Sequence, residues 1–526
     1  MPGPVDQDGM PQSPAQFVLI WFLMAGTAVV GGCSKSAVPG SSSERSQITH
    51  EPKGDDLPVA AADSAVTVSE SDASPPESST DATVPRSDGN DPKRAEINRE
   101  SLYRIPQNSP ELNHRRLAAA GIHVLESRRL ILLTDLPPEI VQDLPQLADH
   151  YFEFLEQVCG KIRPARSGVD FRAIGCLIND FELFQSAGLV PDRVVSMRHG
   201  QQVGYQFWMR NQADEYYRRH LLLHEFAHVY MTCDTGLSNI PDGWFMEGAA
   251  EVFATHSTFH GRTTFGVMPS ETTEFGGWGR ISAIRPPRRA RSTPIFERRK
   301  IPSMQEVQFP TVNPPVDDVR YAWWWALCWM LSNHPEYKDD WAGLCYSRGQ
   351  NEFFQKMTQI RERHGLRLSA DWLLFAESLC EGFDPGRAFA KHRDPDQAAP
   401  KQLVLFAERG WQDSGRDMLS GDVLSITCTG RCTIEETTSP WISEPDGVTL
   451  EYRQGHPLGQ VVAALVSPEA QWISQRIIVG SDSKLTTPQA GRLWLQINDS
   501  AASRAGNTGS YAVTIHEASA LTDNGQ

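Results

Sequence analysis

Five consecutive residues, His224-Glu225-Phe226-Ala227-His228, set two imidazoles four positions apart with a carboxylate beside the first. Each residue of an α-helix turns by ~100°, so positions 224 and 228 share a face and can hold one ion through their ring nitrogens. Glu225 then lies beside that ion, where a general base can take a proton from water. Glu247, within Trp244-Phe245-Met246-Glu247-Gly248, follows nineteen residues after His228. Two histidines and one carboxylate leave a fourth position for water, the pattern of a catalytic rather than a structural zinc site. The chemistry predicted is hydrolysis assisted by one Zn2+.

Those residues need helices to carry them. Residues 216–231 contain no Gly or Pro and predict a buried helix, and 243–255 predict a second, opened by Pro241-Asp242-Gly243 with Asp242 as its cap. His220 is expected to point away along the axis, and Cys233 lies about 140° around the helix from His228, so neither is expected as a ligand. Upstream, residues 121–125, 129–134 and 169–178 read as strands and 137–161 as one long amphipathic helix. A further strand, 203–209, precedes the zinc helix, and 320–392 is mainly helical. The expectation is a mixed α+β catalytic domain over 100–395, long enough for its own core.

The frame of HExxH, eighteen intervening residues and a Glu in Trp-Phe-Met-Glu-Gly resembles the gluzincin metallopeptidases, and residues 242–253 resemble the peptidase-MA-like families among them. The resemblance implies a zincin-like fold with a mixed sheet, an active-site helix and a helical second half. It places the extended peptide or protein substrate along an edge strand, here 203–209. It implies that Glu251, one turn beyond Glu247, steadies the first histidine. It also implies an oxyanion donor at the head of a later helix, where Tyr321 stands in Val319-Arg320-Tyr321-Ala322-Trp323. The Gly-x-Met-Glu-Asn amine-recognition motif of gluzincin aminopeptidases is absent ahead of the zinc helix, which argues against an aminopeptidase.

The start of the chain addresses compartment. Residues 17–30 form an apolar run too short to span a bilayer comfortably, ending in Val30-Gly31-Gly32-Cys33. Small residues before a cysteine resemble a bacterial lipobox, which implies lipidation at Cys33 and removal of 1–33 as a signal peptide. The leader departs from that pattern by carrying Asp6 and Asp8 and no Lys or Arg before the apolar run. Residues 34–99 are rich in Ser, Pro, Asp, Glu and Thr, which predicts a disordered tether. The expected setting is an exported, membrane-anchored lipoprotein. A net charge of -16 disfavours nucleic acid as a partner, and the basic stretch from Arg280 to Lys300 reads as a solvated loop.

Eight cysteines remain besides Cys33, and an even number in an exported chain permits disulfides. Cys428 and Cys432 are the best local pair, if Gly430 makes a turn. From about residue 400 to 519, short strands at regular spacing predict an all-β sandwich. Residues 420–423, 445–447 and 498–511 resemble bacterial galactose-binding lectins of the LecA type. That implies a cell-surface glycan partner and a Ca2+ held by Asp499, Ser503 and Asn507, although Gly506 stands where one ligand asparagine is expected. The functional expectation is a zinc metallopeptidase. The alternative is a carbohydrate- or protein-binding surface lipoprotein whose zincin domain is catalytically silent.

Overall fold

The computed structural model describes residues 112–517, apart from 163–170, 195–196, 198, 234–240, 271–278, 285–300, 311–316, 348, 395–397 and 437–438. Cys33, the expected tether and most of the basic stretch lie outside the described residues. Within them, no helix is long and apolar enough to cross a membrane.

The first sheet contains β1 (His123–Glu126), β2 (Leu130–Thr134), β3 (Ala173–Ile178), β4 (Gly200–Val203) and β5 (Gln206–Arg210) in the order β1-β2-β3-β5-β4. Strands β2, β3 and β5 run parallel, and β1 and β4 are antiparallel to their neighbours. All six residues of β3 are buried because both sheet faces are covered. Ala173 and Leu177 enter the core shared with the helices, whereas Ile174, Cys176 and Ile178 join Phe184 and Trp208 on the other face. The expected edge strand needs correction. Residues 206–210 lie inside the sheet, and the edge is β4, folded back antiparallel across the turn at Gly204. Alternation of apolar residues marks a strand but does not say which neighbour it has.

The helix expected over 137–161 is broken. A short turn, Pro138–Val141, precedes α1 (Leu144–Cys159). Pro145 stands four residues after Val141, and a proline ring excludes a helical carbonyl at that distance.

Three helices frame the site: α2 (Glu215–Thr232), α3 (Gly243–Ala254) and α4 (Asp318–Asn333). Asp214 caps α2 by accepting the Tyr217 N–H at 2.7 Å, and Asp317 caps α4 by accepting that of Arg320 at 2.9 Å. Asp242 occupies the cap position of α3 but its side chain makes no capping bond there. Helices α3 and α4 approach closely at Gly248, where a Cβ would lie 2.5 Å from the Trp324 carbonyl oxygen and 2.6 Å from Cys328 Sγ. This contact brings the first turn of α4 beside Glu247. Helix α5 (Lys338–Cys345) and α6 (Gln350–Ser378), the latter two helical segments joined at a kink where Gly365 leaves helical geometry (φ 50°), complete the helical half.

The C-terminal region is β-rich. One antiparallel sheet there contains β8 (Gln402–Phe406), β10 (Val423–Glu436), β11 (Ser439–Ser443), β16 (Asp482–Thr486) and β18 (Thr508–Glu517); the hairpin of β6 (His256–Phe259) and β7 (Arg262–Phe265) after α3 is a separate two-stranded sheet. The second contains β9 (Gln412–Met418), β14 (Val461–Val466), β15 (Ile477–Ile478) and β17 (Gly491–Ile497), and β12 (Val448–Arg453) and β13 (His456–Leu458) form a hairpin. Both sheets contribute to one core, with Val461, Ala463 and Leu465 meeting Ile426, Val513 and Ile515. The opposite face of β14, Val462, Ala464 and Val466, joins the core of the helical region. Burial on both faces explains why β14 is apolar throughout rather than alternating.

A buried ion pair reinforces that junction. Arg476 Nε lies 2.9 Å from Glu377 Oε1 of α6, and the indole N–H of Trp411 donates to Oε2 at 3.1 Å. The eight described cysteines are free thiols. Cys428 and Cys432 lie on the uninterrupted strand β10, about 13 Å apart at ~3.3 Å per residue, too far for a disulfide. The expected turn at Gly430 does not form, because residues 428–432 pair continuously with 509–513.

Candidate active site

The two histidines of α2 and the carboxylate of α3 converge. His224 Nε2 and His228 Nε2 are 3.1 Å apart, and each lies 3.3 Å from Glu247 Oε2. An ion bonded at ~2.0–2.1 Å to each corner of a tetrahedron sets its ligand atoms ~3.3 Å apart, so this donor set fits zinc in identity and in spacing. Among the described residues, these three form one of two groups of His, Cys, Asp or Glu close enough to hold a metal.

The second group, His220, His224 and Glu251, surrounds the first. Glu251 Oε1 is 3.3 Å from His224 Nδ1, and its Oε2 is 3.4 Å from His220 Nε2. His220 therefore does not point away along the axis. Its place one turn before His224 keeps it on the same face, where it meets Glu251. Arg280 closes the cluster with a two-pronged contact, Nε to Oε2 at 3.1 Å and the second nitrogen to Oε1 at 3.3 Å. Burial works against the Glu251 charge, but Arg280 and His220 outweigh it and hold the carboxyl well below its usual range. A guanidinium already neutralises this carboxylate, which disfavours a cation at the second group.

Glu225 is buried beside the triad. Burial raises its pKa to about 7, against the pull of His224 and His228. Burial also opposes ionisation of Glu247, but the two histidines prevail and keep it a carboxylate. Tyr321, on the first turn of α4, places its ring 6.5 Å from that of His224 and 5.3 Å from the Arg280 guanidinium. The charge of Glu247, with burial, pushes its phenol far up, so Tyr321 stays a neutral O–H donor.

Arg280 carried no sequence signal of its role. It lies 29 residues beyond Glu251 with no fixed spacing, at the start of a basic run, in the short helix Arg280–Ile284. Cys233 lies outside both clusters and donates its thiol to the Tyr230 carbonyl at 3.0 Å.

The C-terminal residues assigned to calcium are arranged differently. Asp499 Oδ2 accepts from Asn507 Nδ2 at 2.6 Å, and its Oδ1 accepts from the Ser500 N–H at 2.5 Å. Ser503 precedes a short turn of 3-10 helix and is half-buried. Between these residues and β8 lies Arg504, fully buried, whose guanidinium donates to the carbonyls of Ala407, Arg409, Ile497 and Asp499 at 2.6–3.4 Å.

No family model matches this chain, and no curated protein matches it. Among solved structures it is similar to one described as "EclA N-terminal domain; PllA-like lectin", at 14% identity, covering 23% of this chain and 97% of that chain with a TM-score of 0.19. A likeness at that score carries no argument about fold or ligand.

Proposed function

We propose that this protein is a zinc-dependent peptidase of the gluzincin type, exported and held to a membrane through Cys33. The observation that carries the reading is the convergence of His224, His228 and Glu247 on one point with Glu225 alongside. When bound there, zinc supplies Lewis-acid activation of a water molecule and of the scissile carbonyl.

The chain's own residues supply the rest. Glu225, with a pKa near neutrality, accepts the proton of the attacking water and passes it to the leaving amine. Tyr321 holds its phenolic proton and donates a hydrogen bond to the developing oxyanion. Glu251, fixed by Arg280, keeps the His224 ring oriented through Nδ1. An extended substrate would add its backbone to the edge of β4, the sheet margin beside α2.

Metal analysis and digestion of a peptide library by the purified full chain test this together. The expected result is about one zinc per chain and cleavage products that disappear on chelation. A chain that binds no zinc, or a zinc-loaded chain that cleaves no peptide, would overturn the proposal.

A further inference from the structure

Strand β4 reaches the base through one residue. A Cβ built on Gly200 would lie 2.3 Å from Glu225 Oε1, 2.8 Å from its Cδ and 2.9 Å from its Cγ, and these are its three nearest neighbours. Gly200 is not among the glycines of positive φ, so its backbone does not demand glycine. The demand comes from space, and from the Glu225 side chain.

The register adds a second fact. The Arg210 N–H donates to the His199 carbonyl at 2.7 Å, which makes 199 and 210 a hydrogen-bonded pair. By the antiparallel alternation, Gly200 opposite Met209 is a non-hydrogen-bonded position. Its N–H and C=O therefore point out of the sheet, on the margin where β4 has no further strand among the described residues.

We infer that Gly200 is a positioning residue: its missing side chain lets the open edge of β4 lie directly against Glu225, fixing the carboxylate relative to any extended chain paired there. The inference rests on the reading of Glu225 as the general base. It extends that reading by naming what holds the base at the substrate edge. A methyl group at 200 must displace either the carboxylate or the strand, and a displacement of ~1 Å at a reacting group costs on the order of 100-fold in rate.

The test is a double-mutant cycle on the full chain with Gly200→Ala, Glu225→Ala and both together. Thermal unfolding is measured first in chelator, where neither metal nor activity contributes. Gly200→Ala is expected to lower Tm by roughly 2–6 °C in the parent and by less than about 1 °C in the Glu225→Ala background, where the atoms it strikes are gone. With zinc restored, Gly200→Ala should keep its zinc and lose about 100-fold in kcat, with KM changing less. An equal Tm loss in both backgrounds, or a kcat within about threefold of the parent, overturns the inference. If the parent cleaves no peptide, the peptidase reading fails and the Tm cycle alone decides the role of Gly200.

Discussion

Two places in this molecule gather residues of the kind that hold cations, and they are built in opposite ways. At the junction of α2 and α3, two imidazoles and a carboxylate face one another at 3.1–3.3 Å, and a permanent cation, Arg280, is directed at Glu251 behind them. In the turn between β17 and β18, Asp499 and Asn507 bond to each other while the Arg504 guanidinium takes up four backbone carbonyls around it. A guanidinium carries its own charge and its own donors. Where one is buried in a ring of carbonyls, it satisfies the oxygens that a metal ion would otherwise collect. Donor type alone thus does not define a metal site; the position of the nearest fixed cation matters as much.

This contrast can be broken at either end, and the largest effect belongs to the first site. His224→Ala should abolish stoichiometric zinc binding, measured by elemental analysis after dialysis, because three ligands become two. Arg504→Met should cost about 3–5 kcal/mol of stability by removing the guanidinium donors of four buried carbonyls, of which that of Ala407 keeps the Asn507 amide at 3.3 Å, read from urea unfolding. Added calcium should not restore it; recovery of stability by calcium would mean that the turn is a cation site after all. Glu251→Gln weakens the support of His224 and should lower zinc affinity by about 10–100-fold, measured by competition with a chelating dye. An affinity unchanged by that substitution would detach Glu251 from the site.

Acid provides a subtler contrast. Burial lowers the pKa of His256, the first residue of β6 just after α3, from 6.5 to about 4, despite its contact with the Ala254 carbonyl. A histidine held neutral in the native state contributes its full stability above the unfolded pKa of ~6.5, and that contribution is lost progressively as pH falls toward 4. The loss reaches on the order of 3 kcal/mol at the lower limit. Arg504, pushed down by burial only to about 10, stays charged across that whole range. Hydrogen exchange at pH 4.5 should therefore show α3 and its neighbours losing protection before β17 and β18. His256→Gln should flatten the acid dependence of the helical region.

Much of the zinc-type cluster was legible because helix geometry is local. The spacing of 224 and 228 fixes their common face without knowledge of the rest of the chain, and the same rule applied to 220 places it beside them, against the expectation that it would point away. Tyr321 and Glu251 became visible only through a resemblance, since nothing local ties them to α2. Arg280, Gly200 and Arg504 were not legible. Arg280 and Gly200 meet partners 29 and 25 residues away, and two of the four carbonyls that Arg504 holds are 95 or more away; composition does not reveal that a basic residue in a loop is buried against a carboxylate. The strand order failed for a related reason. Residues 203–209 read as one strand, and only the pairing of 200–203 with 206–210 across Gly204 decides that the second is interior. In the C-terminal region the strands themselves were clear, whereas the unbroken pairing of β10 with β18 across Gly430 depends on a strand more than 70 residues later.

The most direct test of the central claim is Glu225→Gln compared with the parent at equal zinc content, assayed on a peptide that the parent cleaves. The change keeps size and hydrogen-bonding capacity but removes the base. Zinc stoichiometry should stay unchanged and kcat should fall by at least about 100-fold. A zinc-loaded Glu225→Gln variant that cleaves as fast as the parent would contradict it.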